Sequence, residues 1–402
     1  MCSSIRNSTS IVLRNEHLKE ILASTRAQWG QPEVRSAVKL NFDKVLKSRT
    51  EALGFEVYAS RTEQKVVHPT CKSRACPSCG HPATILGQRE MWTALPDIQY
   101  AGVVFTMPAV LWPTLRKNRR LLNDLPAPGT AVTDQWSKDT YGARLMIMVV
   151  PHTFGWHLNF NPHLHVLVSA GGLRTSDGVW IQRCHLDKTA LMKRWRYALI
   201  AYLREAFKRG LLLSAASAQE TRRLLTTQYE SWWNVDVQPR MTKEHFLQYA
   251  GSYARRPPLA QYRIPEHTDE QISFRTKDHK LKREVVTRYT PDEFIGLLAD
   301  HVPDHYQHAI RHFGILAPPL EKSHLRSAFL PNWDKSADRS CSTSFGLIQF
   351  RRRSDWIHCG IQTENECAGR HAAHQPLGSS RPLRLSPNQT ATQMWHSSTE
   401  YQ

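Results

Sequence analysis

The chain has 402 residues, enough for two or three domains, and its 41% of hydrophobic residues can bury a real core. A formal charge of +18 and a pI near 9.7 call for an acidic partner, and nucleic acid is the simplest one. No apolar run is long enough to span a membrane and no signal peptide is visible, while the eight cysteines are scattered except for one cluster. That usage excludes a secreted disulfide framework and points to a reducing cytoplasm.

Residues 10–47 read as two helices, the second starting near Pro32 with Val34, Val38, Phe42 and Val45 on one face. His68, Cys71, Cys76 and Cys79 follow, with Cys76 and Cys79 in a Cys-x-x-Cys turn that carries Pro77 and Gly80. Three thiolates and an imidazole can give zinc its four tetrahedral ligands, with His81 a substitute for His68. A redox dithiol is the alternative for a lone Cys-x-x-Cys, but the third cysteine favours metal. Such a closed site is structural, because no ligand position is left for a reactant.

From Leu95 the pattern becomes that of a compact domain mixing helices and strands, beginning with the apolar run Val103-Val104-Phe105. Val110 to Leu125 reads as a helix, and Met146 to Val150 leads towards the strand Asn161 to Val168. Side chains alternate along a strand, so His163 and His165 share one face while Leu164, Val166 and Val168 line the other. Two imidazoles held side by side on a rigid strand make a pair of metal ligands. The turn signal Asp177-Gly178 places Val179-Trp180-Ile181 as an antiparallel neighbour of that strand. Leu191, Trp195, Leu199, Leu203 and Phe207 give a helix with a core stripe, and Ser217 to Glu220 is a capping box.

Trp232 to Val237 reads as a strand before a helix that carries Tyr249 and Tyr253 one turn apart and ends at Pro257-Pro258. Between Arg240 and Arg288 there are eleven Lys and Arg against six Asp and Glu, an excess suited to a phosphate backbone. Arg255, Arg256 and Arg263 are its candidate contacts, and Trp156, Trp232 and Trp233 are candidate stacking platforms for bases. A hairpin is expected around Asp278-His279, then a helix capped by Thr290. His301, His305, His308 and His312 fall close to one helical face; a DNA-facing or pH-sensitive surface fits them better than a second metal site, because Pro303 interrupts that face. Beyond Pro319 the periodicity dissolves into a basic, loosely ordered tail.

In their order and spacing these pieces resemble the HUH nucleases (His, hydrophobic, His), in particular the two-tyrosine rolling-circle transposases of bacterial insertion sequences. The resemblance covers roughly residues 30–318 and is carried by His163-Leu164-His165, by Val103 to Pro108, by the lead-in His152-Thr153-Phe154-Gly155, by the tyrosine pair and by Arg311 to Leu316. It implies an α+β fold whose central, mainly antiparallel sheet is flanked by helices and preceded by a small helical and zinc-binding module. The expected division is a helical segment over 1–47, a zinc module over 48–92, the nuclease domain over 93–319 and the tail over 320–402.

By the same resemblance, Mg²⁺ or Mn²⁺ sits at His163 and His165, although imidazoles equally suit zinc. The third ligand stays open among His152, His157, Asn161 and Gln248. Tyr249 or Tyr253 would attack single-stranded DNA at the ends of a mobile element, leaving a 5′-phosphotyrosine. A bacterial, nucleoid-associated location goes with that activity. The family's zinc module carries further cysteines where this chain has Ser48 and Ser60, which keeps an inactive zinc-containing DNA-binding protein in view as the alternative. A small-molecule phosphoesterase would need neither the tyrosine pair nor the positive charge.

Overall fold

A computed structural model describes residues 16–317 apart from 60–63, 215, 255–256, 279–282 and 306, together with 384–385. Ser60, Arg255, Arg256, His279 and almost all of the expected tail therefore lie outside the described residues. No helix among the described residues is long and apolar enough to cross a membrane.

The N-terminal segment forms α1 (Glu16–Ser24), the single turn α2 (Arg26–Trp29) and α3 (Ser36–Lys47). The helix expected from Pro32 starts at Ser36 instead, after a short connecting turn. A hairpin of β1 (Phe55–Ala59) and β2 (Gln64–Val67) follows, and then the long helix α4 (Pro77–Ala94). Cys76 occupies the N-cap of α4 and Pro77 its first turn, where a missing N–H costs nothing.

The central sheet has five antiparallel strands in the order β13-β5-β6-β3-β9. They are β3 (Tyr100–Phe105), β5 (Met146–Phe154), β6 (Phe160–Ser169), β9 (Val235–Val237) and β13 (Arg311–Gly314). The α+β architecture with a mainly antiparallel sheet is as expected. The two-residue strand β4 (Ala143–Arg144), with β7 (Gly172–Arg174) and β8 (Trp180–Ile181), forms a separate small sheet. Trp180-Ile181 is thus not a neighbour of the histidine strand, whose flanks are taken by β3 and β5. Those two strands bury longer apolar runs, and the hydrophobic effect decides the pairing.

Both faces of the sheet are covered. One face presents Val103, Phe105, Ile147, Val149, Leu164, Val166 and Val168 to α7 (Pro126–Tyr141) and α8 (Lys188–Lys208), whose Trp195 and Leu199 are fully buried. The other presents Met148, Val150 and Leu167 to α4 and α10 (Lys243–Ala254), with Tyr100 stacked on Phe246 at 4.3 Å between ring centroids. The helix expected over 110–125 is split into α5 (Trp112–Lys117) and α6 (Arg119–Asp124). At the break, the Asn118 amide donates to the Leu213 carbonyl at 2.8 Å and accepts from the Leu213 N–H at 2.7 Å. Between α8 and β9, α9 (Ala218–Thr227) opens with the Ser217–Glu220 capping box.

A three-stranded antiparallel sheet, β10 (Glu266–His267), β11 (Ile272–Asp278) and β12 (Arg283–Tyr289), leads into α11 (Pro291–His301), again opened by a capping box at Thr290 and Glu293. The C-terminal carbonyls of α11 are held by two arginines from distant segments. Arg35 donates to Ala299 O and Val302 O at 2.7 and 3.0 Å, and Arg119 donates to Asp300 O and Val302 O at 2.7 and 3.1 Å. Cations there also oppose the negative end of the helix dipole.

The four histidines expected on one helical surface separate. His301 ends α11, whereas His312 lies in β13 opposite Met148. His301 is buried; its Nε2–H donates to Leu158 O at 2.7 Å, and the Thr153 hydroxyl pairs with Nδ1 at 3.0 Å. It therefore props the turn joining β5 to β6, where Leu158 is held at φ 55°. Burial pulls His301 down from 6.5 to about 4. The unfolded chain takes up this proton below pH 6.5 while the folded chain does not until about pH 4, so the associated stability is complete above pH 6.5 and falls away between those values. Denaturant unfolding at pH 7.5 and 4.5 should show the native chain losing about 2–3 kcal/mol more than His301→Gln.

Candidate active site

Three histidines converge on the α4/α10 face of the central sheet. In register, His152 of β5 lies opposite His163 of β6, and His165 lies between Val150 and Val104. One potential ligand atom from each of His152, His163 and His165 lies within 4.8 Å of the others, and His163 Nε2 is 3.1 Å from His165 Nε2. Of the four residues left open as the third partner, the fold brings in His152, while Gln248 is exposed to solvent. The sequence did contain the signal: His152 lies on a strand running directly into the histidine hairpin.

Backbone acceptors orient two of these rings. The His163 Nδ1–H donates to Asn161 O at 2.7 Å, which turns the Nε2 lone pair towards the cluster. The His152 Nε2–H donates to Tyr253 O at 2.8 Å, using one of the carbonyls left unpaired at the end of α10. Burial holds His163 below the ordinary imidazole value, in the neutral form a metal requires.

α10 lays its tyrosines over this cluster. The Tyr253 ring stacks on His165 at 3.9 Å between centroids, with an interplanar angle of 28°. Tyr249, one turn earlier, lies 4.8 Å from Tyr253 and rests over β3. Burial pushes the Tyr249 phenol up, reinforced by Tyr253 and the Asp236 carboxylate. α10 approaches this closely because the sheet is bare beneath it: a Cβ at Gly102 would stand 3.0 Å from Tyr249 Cε1 and 3.3 Å from its hydroxyl. Gly102→Val should cost about 1–3 kcal/mol through overpacking, read as a lowered denaturant midpoint with an unchanged m value.

The candidate DNA contacts fare differently. Arg263 is only 3% exposed. Its guanidinium lies 4.2 Å from the Phe274 ring centroid, and its N–H groups donate to Arg275 O at 2.9 Å and to Trp156 O. It is a pin between β11 and the β5–β6 turn, not a surface contact for phosphate. Trp233 is likewise in the core, whereas Trp232 and Trp156 are exposed.

The cysteine cluster forms at the start of α4. One sulfur from each of Cys71, Cys76 and Cys79 lies within 4.8 Å of the others, with Cys71 and Cys79 3.6 Å apart. His68 does not join them; its Nδ1 faces Gly54 O at 3.4 Å and its ring packs edge-on to Phe55. Spacing allowed His68 to reach, but the end of β2 turns it towards Gly54, just before β1. The buried Ser48 stands at the cluster instead, accepting from the Cys71 N–H at 3.2 Å. Hydrogen bonds from its two neighbours hold the Cys79 thiol down, while the Cys76 thiol is pushed far up by the other two. Three thiols this close cannot all ionise without a cation among them, and that is the condition a structural zinc ion satisfies.

A family described as "Transposase zinc-binding domain" matches residues 15–107, and one described as "Putative transposase" matches residues 146–324. The chain is 30% identical over 287 residues to the transposase for insertion sequence element IS801 of Pseudomonas savastanoi pv. phaseolicola, covering 68% of this chain and 69% of that one. The chain belongs to the IS801-type family of insertion-sequence transposases. A second relative of this transposase, described as "Putative transposase y4qJ" in Sinorhizobium fredii (strain NBRC 101917 / NGR234), is 29% identical over 309 residues, 73% of this chain and 76% of that one. No solved structure matches the transposase. The zinc-binding match takes in all three clustered cysteines and Ser48, and the other contains the histidine triad and both tyrosines.

Proposed function

We propose that this transposase cleaves and rejoins single-stranded DNA at the ends of its mobile element, using a tyrosine as covalent nucleophile. The observation that carries the reading is the Tyr253 ring stacked directly on His165 of the three-histidine cluster. Family membership supports the coarser statement, a DNA-cleaving and strand-transferring enzyme.

His152, His163 and His165 would hold the divalent ion, Mg²⁺ or Mn²⁺ by family resemblance, which when bound polarises the scissile phosphate and offsets its developing charge. The remaining chemistry belongs to the chain. The Tyr253 oxygen attacks phosphorus, the bond from phosphorus to the 3′ oxygen breaks, and that oxygen leaves as a hydroxyl after taking a proton from solvent. The phenol proton passes to solvent, and the DNA 5′ end stays on Tyr253 as a phosphodiester. The linkage keeps the bond energy, so a later 3′-hydroxyl can reverse the step on another strand without ATP. Tyr249, half-buried over Gly102, takes the second strand once α10 shifts. Cys71, Cys76 and Cys79, with Ser48 beside them, would hold the structural zinc ion.

The test is a labelled single-stranded oligonucleotide carrying an element end, incubated with Mg²⁺ or Mn²⁺ and resolved on a denaturing protein gel. A labelled adduct that requires the ion and disappears in His163→Ala is expected. Salt-sensitive binding without any adduct would replace this reading with that of an inactive DNA-binding protein.

A further inference from the structure

His17 and Glu20 lie three residues apart on α1 and so share one face of the helix. Opposite them stands His267 of β10, 250 residues further along the chain from His17. The Nδ1 atoms of His17 and His267 are 3.1 Å apart, and their rings meet edge to face with centroids 5.1 Å apart. The Glu20 carboxylate comes within 3.2 Å of His267 Nε2 and 3.9 Å of His17 Nδ1. One potential ligand atom from each residue lies within 4.8 Å of the other two. Ligands about 2.0–2.1 Å from a tetrahedral zinc ion are roughly 3.3 Å from one another, so the imidazoles already stand at ligand spacing.

The elements carrying these groups are fixed. Leu18, Ile21 and Leu22 of α1 are buried in the same apolar cluster as Ile272, the register partner of His267. Side chains mounted on rigid elements hold their geometry before the ion arrives. The His17 and His267 side chains keep 42% and 20% of their exposure, which leaves an entry path from solvent. The cluster shares no residue with the histidine triad or the cysteines.

We propose that His17, Glu20 and His267 form a further metal site that takes a divalent ion of borderline softness, such as Zn²⁺. Two imidazoles and one carboxylate bind the ion and water completes its shell. The bound ion clamps the N-terminal helix to the small sheet that follows the tyrosine helix. Without it, the polar part of the contact is a half-exposed His–Glu pair and one His–His hydrogen bond, which add little to the apolar cluster beneath them.

The full chain, stripped with chelator and reloaded with Zn²⁺, is assayed for bound zinc by elemental analysis and titration calorimetry. The native chain should bind one equivalent more than His17→Gln/His267→Gln, and the variant should keep the equivalents held elsewhere. Equal stoichiometry overturns the proposal. So that a folding defect in the double variant cannot decide the outcome, the second measurement uses the native chain: anomalous scattering at the zinc edge from crystals grown with Zn²⁺. A peak between His17 and His267 is expected, and zinc at the cysteines with none at this position sinks the idea.

Discussion

Tyr253→Phe should abolish the covalent DNA adduct, lowering the rate of first-strand cleavage by about 10³-fold or more, as loss of a nucleophile does in other covalent enzymes. Tyr249→Phe should leave first-strand cleavage within about tenfold of native and instead block transfer of the second strand. The asymmetry follows from placement. Tyr253 stacks on a ring of the histidine cluster, whereas Tyr249 is held against β3 with its phenol pushed up by burial. Single-turnover cleavage of one labelled end, followed by strand transfer to a second, separates the two roles. Equal losses in both variants would show that the tyrosines are interchangeable, and a surviving adduct in Tyr253→Phe would reverse their order.

Cys76→Ser, or removal of zinc from the native chain by a chelator, should lower the melting temperature by about 5 °C, the size expected for a loss of roughly 4 kcal/mol in a chain of this length. Cys76 is fully buried and Cys79 nearly so, in one apolar cluster with Leu18, Trp29, Phe42, Phe274 and Phe294. Releasing the ion protonates the thiolates and removes the bonds that tie Cys71, Cys76 and Cys79 together, so the stabilisation that zinc binding lends the fold is lost. The effect should reach the active site, because the helix that begins at Cys76 also packs on the tyrosine helix. There Gln88 donates to Leu247 O at 3.0 Å beside Gly251. Ser48→Cys should act in the opposite sense and slow zinc release to a competing chelator, since the Ser48 hydroxyl already stands beside the cysteines, accepting from the Cys71 N–H. No change in either measurement would show that the thiols hold no ion.

The histidine strand and the tyrosine helix were legible in the sequence because each rests on a local period. Alternation alone puts His163 and His165 on one face, and a spacing of four does the same for Tyr249 and Tyr253. Both capping boxes were legible for the same reason, being complete within four residues. What escaped depends on partners far along the chain. Arg263 counted as a surface charge until Phe274, Trp156 and the Arg275 carbonyl enclosed it. His68 has the right spacing from the cysteines, but spacing does not say which way the end of a strand turns its ring. The break at Asn118 was hidden because its partner, Leu213, is 95 residues away. Gly102 gives no sign in the sequence that a tyrosine ring will cover it.

The apolar cluster shared by α1, α3, the start of α4, the β10–β12 sheet and α11 bears on the order in which the protein can be made. Leu22 and Phe42 leave the ribosome early, yet Phe274, Phe294 and Leu298, which cover them, emerge some 250 residues later. At about 5–20 residues per second, that interval lasts on the order of 10–50 s, during which the first helices expose a greasy flank. Arg35 must also wait, since the carbonyls it caps belong to residues 299 and 302. A nascent chain stalled before α11 should therefore recruit holding chaperones and be readily cut by protease between α1 and α3. Emergence of α11 is then the moment at which the N-terminal helices first become resistant.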